Sequence, residues 1–166
     1  MFELPEIQTL AGQIRKELTG KEIGAGHLGN VSHRFVWYNR TPAEFSELTR
    51  GRVLGEVRAR GRWLFIALEP GYMLVFGEFG GKALYHLAGA PPPKKRHLLL
   101  EFTDGSSFSV TTQMWGAMEL YVQGEEERVM SRSFIGIRTE IKGLSGCALT
   151  LEFTGPRGPG VNRMVK

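Results

Sequence analysis

Trp63-Leu64-Phe65-Ile66-Ala67-Leu68-Glu69-Pro70-Gly71-Tyr72-Met73-Leu74-Val75-Phe76 is the stretch that decides the fold. Two short apolar runs, Trp63–Leu68 and Tyr72–Phe76, flank Glu69-Pro70-Gly71, and this spacing reads as two strands joined by a tight turn. On the N-terminal side, Arg52–Ala59 alternates. Val53, Val57 and Ala59 are expected on one face of a strand, with Arg52, Glu56 and Arg58 on the other. On the C-terminal side, His97–Phe102 and Ser107–Thr111 flank Thr103-Asp104-Gly105, a hairpin signal, and Gly116–Tyr121 closes the series. Short antiparallel strands punctuated by turns predict a two-layer β-sandwich.

Two helices flank the strands. Pro5 suits a first turn, where its missing N–H costs nothing. Ile7, Leu10, Ala11, Ile14 and Leu18 recur at helical spacing, and Gly20 follows as a stop. Thr41-Pro42-Ala43-Glu44 reads as a capping box that opens a second, shorter helix. Phe45 and Leu48 form its apolar face, and Arg50-Gly51 ends it. The fold class is therefore mainly β (α+β), with both helices on the edge of the sandwich.

Bulk properties narrow the function classes. No apolar run approaches the length of a membrane span. The N-terminus lacks the basic start and apolar stretch of a secretory signal, which predicts a cytoplasmic protein. Cys147 is the single cysteine, so an internal disulfide and a cysteine-rich zinc site are excluded. His27, His33, His86 and His97 have no metal-ligand spacing. The net charge of +4 is uneven: residues 1–130 hold 15 Lys/Arg against 15 Asp/Glu, whereas residues 131–166 hold 6 against 2. A neutral main domain gives no global drive toward DNA, because phosphate neutralisation supplies most non-specific affinity. Local clusters remain: Arg50, Arg52, Arg58, Arg60 and Arg62 in one segment, and Lys94-Lys95-Arg96 before a strand. The even-numbered arginines either track a phosphate backbone or guard a solvated strand edge with charge.

Ahead of the first helix stands Met1-Phe2-Glu3-Leu4-Pro5-Glu6, which brings an amino terminus and two carboxylates to a helix start. Glu3 and Glu6 lie where the helix dipole favours ionised acids, and plain helix capping is one reading of them. The segment also resembles the start of the formamidopyrimidine-DNA glycosylase and endonuclease VIII family, whose chains begin Met-Pro-Glu-Leu-Pro-Glu. Arg60-Gly61-Arg62-Trp63-Leu64 is similar to the family's Arg-Gly-Lys-Tyr-Leu. Phe76-Gly77-Glu78-Phe79-Gly80 is similar to its Leu-Gly-Met-Ser-Gly, and Gln113-Met114-Trp115-Gly116 to its Arg-Arg-Phe-Gly. Order and spacing together carry the resemblance, which covers residues 1–122. It implies an N-terminal β-sandwich domain of a base-excision DNA glycosylase and AP lyase, with double-stranded DNA carrying damaged or abasic sites as partner.

In that family the proline amine left after methionine removal attacks the sugar carbon of the damaged nucleotide, and the adjacent glutamate handles protons. Phe2 occupies the nucleophile position here. A large second residue retains the initiator methionine, so the available amine is that of Met1, displaced by one residue. A displacement of even ~1 Å can cost on the order of a hundredfold in rate. The resemblance assigns Glu3 as general acid/base and Glu6 as the second acid. Arg62 stands in place of a catalytic lysine; it keeps the charge for a phosphate but cannot pass protons at neutral pH. Glu78, Met114 and Trp115 stand where the family wedges into DNA, with Arg58, Arg60, Gln113 and Trp115 as candidate DNA contacts. Trp115 can stack on a base, although a tryptophan on a strand is more commonly core.

The expectation is a DNA-binding repair-type protein with lost or impaired catalysis. An active enzyme using the Met1 amine and a non-catalytic interaction or oligomerisation module are the alternatives. Family members continue into a helical domain with a helix–two-turn–helix motif, usually followed by a zinc finger. Residues 131–166 show neither that helical pattern nor paired cysteines. Residues 123–166 are therefore expected to be a partly disordered tail foreign to the family, with Ala148–Phe153 its one strand and no cofactor bound. Loss of one cleft wall would leave an apolar face open to homo-oligomer formation.

Overall fold

A computed structural model describes residues 4–31, 34–77, 80–113 and 115–126. Met1, Phe2, Glu3, His33, Glu78, Met114, the expected strand Ala148–Phe153 and the rest of the tail from residue 127 lie outside the described residues. The chain divides into two units, residues 1–123 and 124–166, and the fold below is that of the first.

The elements run α1 (Leu4–Leu18), β1 (Ile23–Leu28), β2 (Val36–Tyr38), α2 (Pro42–Thr49), β3 (Val53–Arg60), β4 (Trp63–Glu69), β5 (Tyr72–Gly77), β6 (Gly81–His86), β7 (Leu98–Phe102), β8 (Ser107–Thr112) and β9 (Gly116–Val122). They form a five-stranded sheet, β2-β9-β5-β4-β3, and a four-stranded sheet, β1-β7-β8-β6. All pairings are antiparallel except β2 with β9. The expected two-layer sandwich is present.

Its core lies between the sheets. Leu64, Ile66, Leu74, Phe76 and Leu120 of the larger sheet join Leu98, Leu100, Phe108 and Val110 of the smaller one in a single buried cluster. Burying each such side chain contributes about 1.5–3 kcal/mol. Helix α1 adds Ala11, Ile14 and Leu18, at the spacing that puts them on one helical face. Gly20, at φ +86, ends the helix by donating its N–H to the Leu54 carbonyl at 2.7 Å. The Arg15 guanidinium donates to the Val57 carbonyl at 2.5 Å, tying α1 to β3.

Helix α2 has the expected capping box. Thr41 Oγ1 accepts from the Glu44 N–H at 3.3 Å, and the Glu44 carboxylate accepts from the Thr41 N–H at 2.8 Å. Phe45 is buried and Leu48 packs against the core cluster. The helix rests on β1 at Gly26, where a β-carbon would fall 2.2 Å from Thr49 Oγ1. Only glycine permits that approach.

One expectation fails in detail. The register of β3 on β4 shifts between Leu54 and Val57, a β-bulge that turns Leu54 and Val57 inward and leaves Val53 36% exposed. The extra residue breaks simple alternation, so Val53 does not share the face of Val57. Strands β1, β2 and β6 are additions to the sequence-based expectation.

The register also fixes which residues meet at one end of the molecule. Trp37, Ala117, Gly77, Trp63 and Arg60 are successive partners across β2, β9, β5, β4 and β3. Paired residues point to the same face of a sheet. The β3–β4 turn at Gly61-Arg62, the segment after Gly77, the segment before Gly116 and Phe35 therefore share that end.

Candidate functional site

Three loops converge at this end and are tied together by backbone. The Gln113 N–H donates to the Gly80 carbonyl at 2.9 Å, joining the β5–β6 connection to the β8–β9 connection. The Gly116 N–H donates to the Phe35 carbonyl at 3.1 Å, bringing in the approach to β2. Gly81 opens β6 against the neighbouring strand so closely that a β-carbon there would meet the Thr111 carbonyl oxygen at 2.0 Å. Gly81 is thus a steric requirement of the loop junction.

Helix α1 begins at the same end. Pro5 and Glu6 lie in its first turn, and Glu6 is exposed there. With Thr9, Leu10 and Gln13 they form one wall of an open groove of about 400 Å³, whose other wall is Gly81–Leu84 of β6. The exposed Lys82 ammonium and the Glu6 carboxylate therefore line one depression. Glu3, the other expected acid, lies outside the described residues, as do Phe2 and Met1.

The arginines separate into two groups. Arg52 serves structure: its guanidinium lies 4.2 Å from the Tyr72 ring centroid, and its Nε donates to the Leu48 carbonyl at 2.6 Å. It does not belong to a phosphate-tracking row. Arg58 and Arg60 lie two residues apart on the exposed side of edge strand β3, and Arg58 is 5.7 Å from the Phe65 ring. Arg62 is exposed in the following turn. Gln113 is exposed beside Gly80.

Trp115 departs from the core reading. It precedes β9, is 41% exposed, and joins an aromatic cluster with Phe35 at 4.5 Å and Trp37 at 5.6 Å between ring centroids. The Trp37 and Trp115 rings are close to parallel, at 14°. Arg34 places its guanidinium 5.6 Å from the Phe35 ring. Sequence reasoning missed Arg34, Phe35, Trp37 and Lys82. The signal for the aromatics was present: Phe35-Val36-Trp37-Tyr38 is a run of strong strand formers with two aromatics spaced for one face.

Strand β2 is short and is held by side chains. The Asn39 carboxamide accepts from the Leu120 N–H at 2.8 Å and donates to the Leu120 carbonyl at 3.1 Å, acting as an added ladder residue. The Tyr38 hydroxyl donates to the His97 carbonyl at 2.9 Å, across to the other sheet. Burial pushes the Tyr38 phenol up to about 12, so it stays neutral at every ordinary pH.

Among the described residues, no group of three or more His, Cys, Asp or Glu is arranged to hold a metal ion. No helix among them is long and apolar enough to cross a membrane.

Comparison with known proteins agrees with this geometry. A family model described as the formamidopyrimidine-DNA glycosylase N-terminal domain matches residues 1–141. The formamidopyrimidine-DNA glycosylase of Cytobacillus firmus is 25% identical over 141 residues, covering 82% of this chain and 50% of that protein. That of Bacillus licheniformis is 29% identical over 127 residues, covering 76% and 46%. The chain thus spans about half the length of the curated relatives it matches. Among solved structures, the Lactococcus lactis Fpg complex with abasic-site DNA superposes with a TM-score of 0.67 at 22% identity, covering 82% of this chain and 50% of that one. MutM in complex with carbocyclic 8-oxo-G DNA gives 0.68 at 20% identity, covering 82% and 51%. At such identities these two likenesses establish the fold, and the sequence match establishes the kinship. The chain belongs to the formamidopyrimidine-DNA glycosylase N-terminal domain family.

Proposed function

We infer that this protein is a DNA-binding relative of the base-excision glycosylases, taking duplex DNA with damaged or abasic sites, in which glycosylase and lyase chemistry is lost or strongly impaired. One observation carries the reading: Glu6 of the family's acidic segment lies in the first turn of α1 beside a groove, while Phe2, at the nucleophile's position in the sequence, has no secondary amine. Glu3 and Glu6 keep the proton-handling and positioning chemistry of carboxylates. Without a nucleophile between them and the sugar carbon, no imine forms to expel a base. In protein produced from Met1, a retained Met1 amine is displaced by one residue from the place that Glu3 would serve.

Binding would then rest on the exposed residues at this end. Arg58, Arg60 and Arg62 supply phosphate contacts, which position without reading sequence. Gln113 and Trp115 supply a hydrogen-bonding and a stacking group beside them. The proposed binding calls for no metal or cofactor, and a cytoplasmic location goes with a chromosomal DNA partner.

The test is fluorescence anisotropy with duplexes that carry or lack an abasic site, combined with borohydride trapping. Preference for the abasic duplex, weakening with salt and leaving no trapped adduct, is the expected result. Vigorous excision of oxidised bases, or an adduct mapped to Met1, overturns the loss of catalysis.

A further inference from the structure

All three tryptophans of the chain, Trp37, Trp63 and Trp115, gather at one end of the five-stranded sheet. Trp37 and Trp63 lie in the same cross-strand row, and their shared face is set by the register. Between them the row holds only Ala117 and Gly77. Three interstrand spacings of ~4.8 Å put the two tryptophan backbones about 14 Å apart. Trp115 stacks on Trp37, and Phe35 leans on Trp115. None of these four rings belongs to the buried cluster between the sheets. Phe35 and Trp115 are 36% and 41% exposed.

Charge marks both ends of this aromatic surface. Arg34 lies over Phe35 at one side, and Arg60 closes the tryptophan row at the other. Glu119 lies a row farther along β9 and takes the Tyr121 hydroxyl at 3.0 Å. Exposed rings bracketed by guanidinium groups suit a ligand with flat π-faces strung on a line of negative charge. Bases inside a duplex have their faces covered by their neighbours, whereas unpaired bases offer both.

We propose that the Phe35–Trp37–Trp115 cluster, continued by Trp63, is a stacking site for the unpaired bases of single-stranded DNA, with Arg34 and Arg60 on its phosphates. This is a binding mode that requires neither a lesion nor a second strand, and so it goes beyond the repair reading above. Stacking accounts for the rings, and the cations account for retention on a polyanion. The site is sequence-tolerant, since every base has a π-face.

Intrinsic fluorescence reads this site directly, because every tryptophan of the chain is at it. The probe is an oligothymidylate of about 12 nucleotides, within the usual range of single-strand site sizes, titrated alongside a blunt duplex of equal length. Quenching by the single strand at lower concentration than by the duplex is expected. Phe35→Ala and Trp115→Ala should each weaken single-strand binding by about 5- to 150-fold, as loss of one stacked base implies. Trp115→Phe should retain most of it. Arg34→Ala should flatten the log–log salt dependence by about 0.7. Truncating Trp115 removes a ring outside the core, and circular dichroism melts verify that each variant is folded. Equal affinity for strand and duplex, absence of quenching, or unchanged affinity in Phe35→Ala and Trp115→Ala overturns the proposal. Abasic-duplex binding measured on the same samples keeps its failure separate from failure of the repair reading.

Discussion

The ring of Trp63 occupies the space where a side chain at Gly77 would begin: a β-carbon there would fall 2.1 Å from Cζ3 of the indole. Gly77 is therefore the floor on which the Trp63 ring rests, and its lack of a side chain sets the ring's position. Gly77→Ala should destabilise the domain by about 1–3 kcal/mol through overpacking. In Trp63→Leu the same alanine should cost at least ~0.5 kcal/mol less, because contacting residues are not additive. Urea denaturation of the four proteins in this cycle measures the coupling, and full additivity would contradict the contact.

Thr41 starts α2, and α2 covers β1 through Phe45 and Thr49. Thr41→Ala leaves the Glu44 N–H without its side-chain acceptor, and loss of such a cap costs about 0.5–2 kcal/mol. Thr41→Ser keeps the oxygen and should lie within a few tenths of a kcal/mol of wild type. Thermal melts of the two variants separate the hydrogen bond from loss of the methyl group.

The Lys21–Asp104 pair ties the start of β1 to the β7–β8 turn, and it makes stability depend on acid. The hydrogen bond from Lys21 comes first, with those from Ser106 behind it, in holding the Asp104 carboxyl down from 3.8 to about 2. A folded-state value below the unfolded one stabilises the protein above pH ~4, and that contribution is lost as pH falls from ~4 through ~2. Lys21→Met should flatten the decline of Tm across this interval. An unchanged slope in the variant would show that Lys21 is not the cause.

Legibility of the fold followed the turn chemistry. Gly71 and Gly105 both adopt φ +82 in turns whose sequences, Glu69-Pro70-Gly71 and Thr103-Asp104-Gly105, announce them. The strands that those turns join were accordingly readable. Strand β1, Ile23-Gly24-Ala25-Gly26-His27-Leu28, carries no strand signal of its own, because its glycine at 26 answers to α2 above it, not to strand propensity. Strand β6 begins at the crowded Gly81 and is an edge strand whose exposed side holds Leu84 beside Lys82, so its apolar residues do not alternate. Strand β2 has three residues and depends on Asn39 and Tyr38, partners distant in sequence. The site divides similarly. Glu6 and the exposed Arg58 and Arg60 follow from local pattern. The aromatic cluster is assembled by the parallel β2–β9 pairing, a long-range contact that no local window contains.

If the missing secondary amine is what limits chemistry, replacing Phe2 should restore part of it. In protein produced from Met1, Phe2→Pro makes the second residue small, so the initiator methionine is removed and a proline amine is left directly before Glu3. That amine can attack the aldehyde carbon of an abasic site; loss of water from the adduct gives an iminium that borohydride reduces to a stable crosslink. The expected outcome is a trapped species in Phe2→Pro, mapped by peptide mass to residue 2, with none in wild type. Adding Glu3→Gln to the variant should slow its formation, by about 10²- to 10⁴-fold if Glu3 transfers protons in the limiting step. Trapping of wild type with the same yield would mean that the displaced Met1 amine already reaches the sugar, and the assignment of Phe2 as the lesion in catalysis would fall.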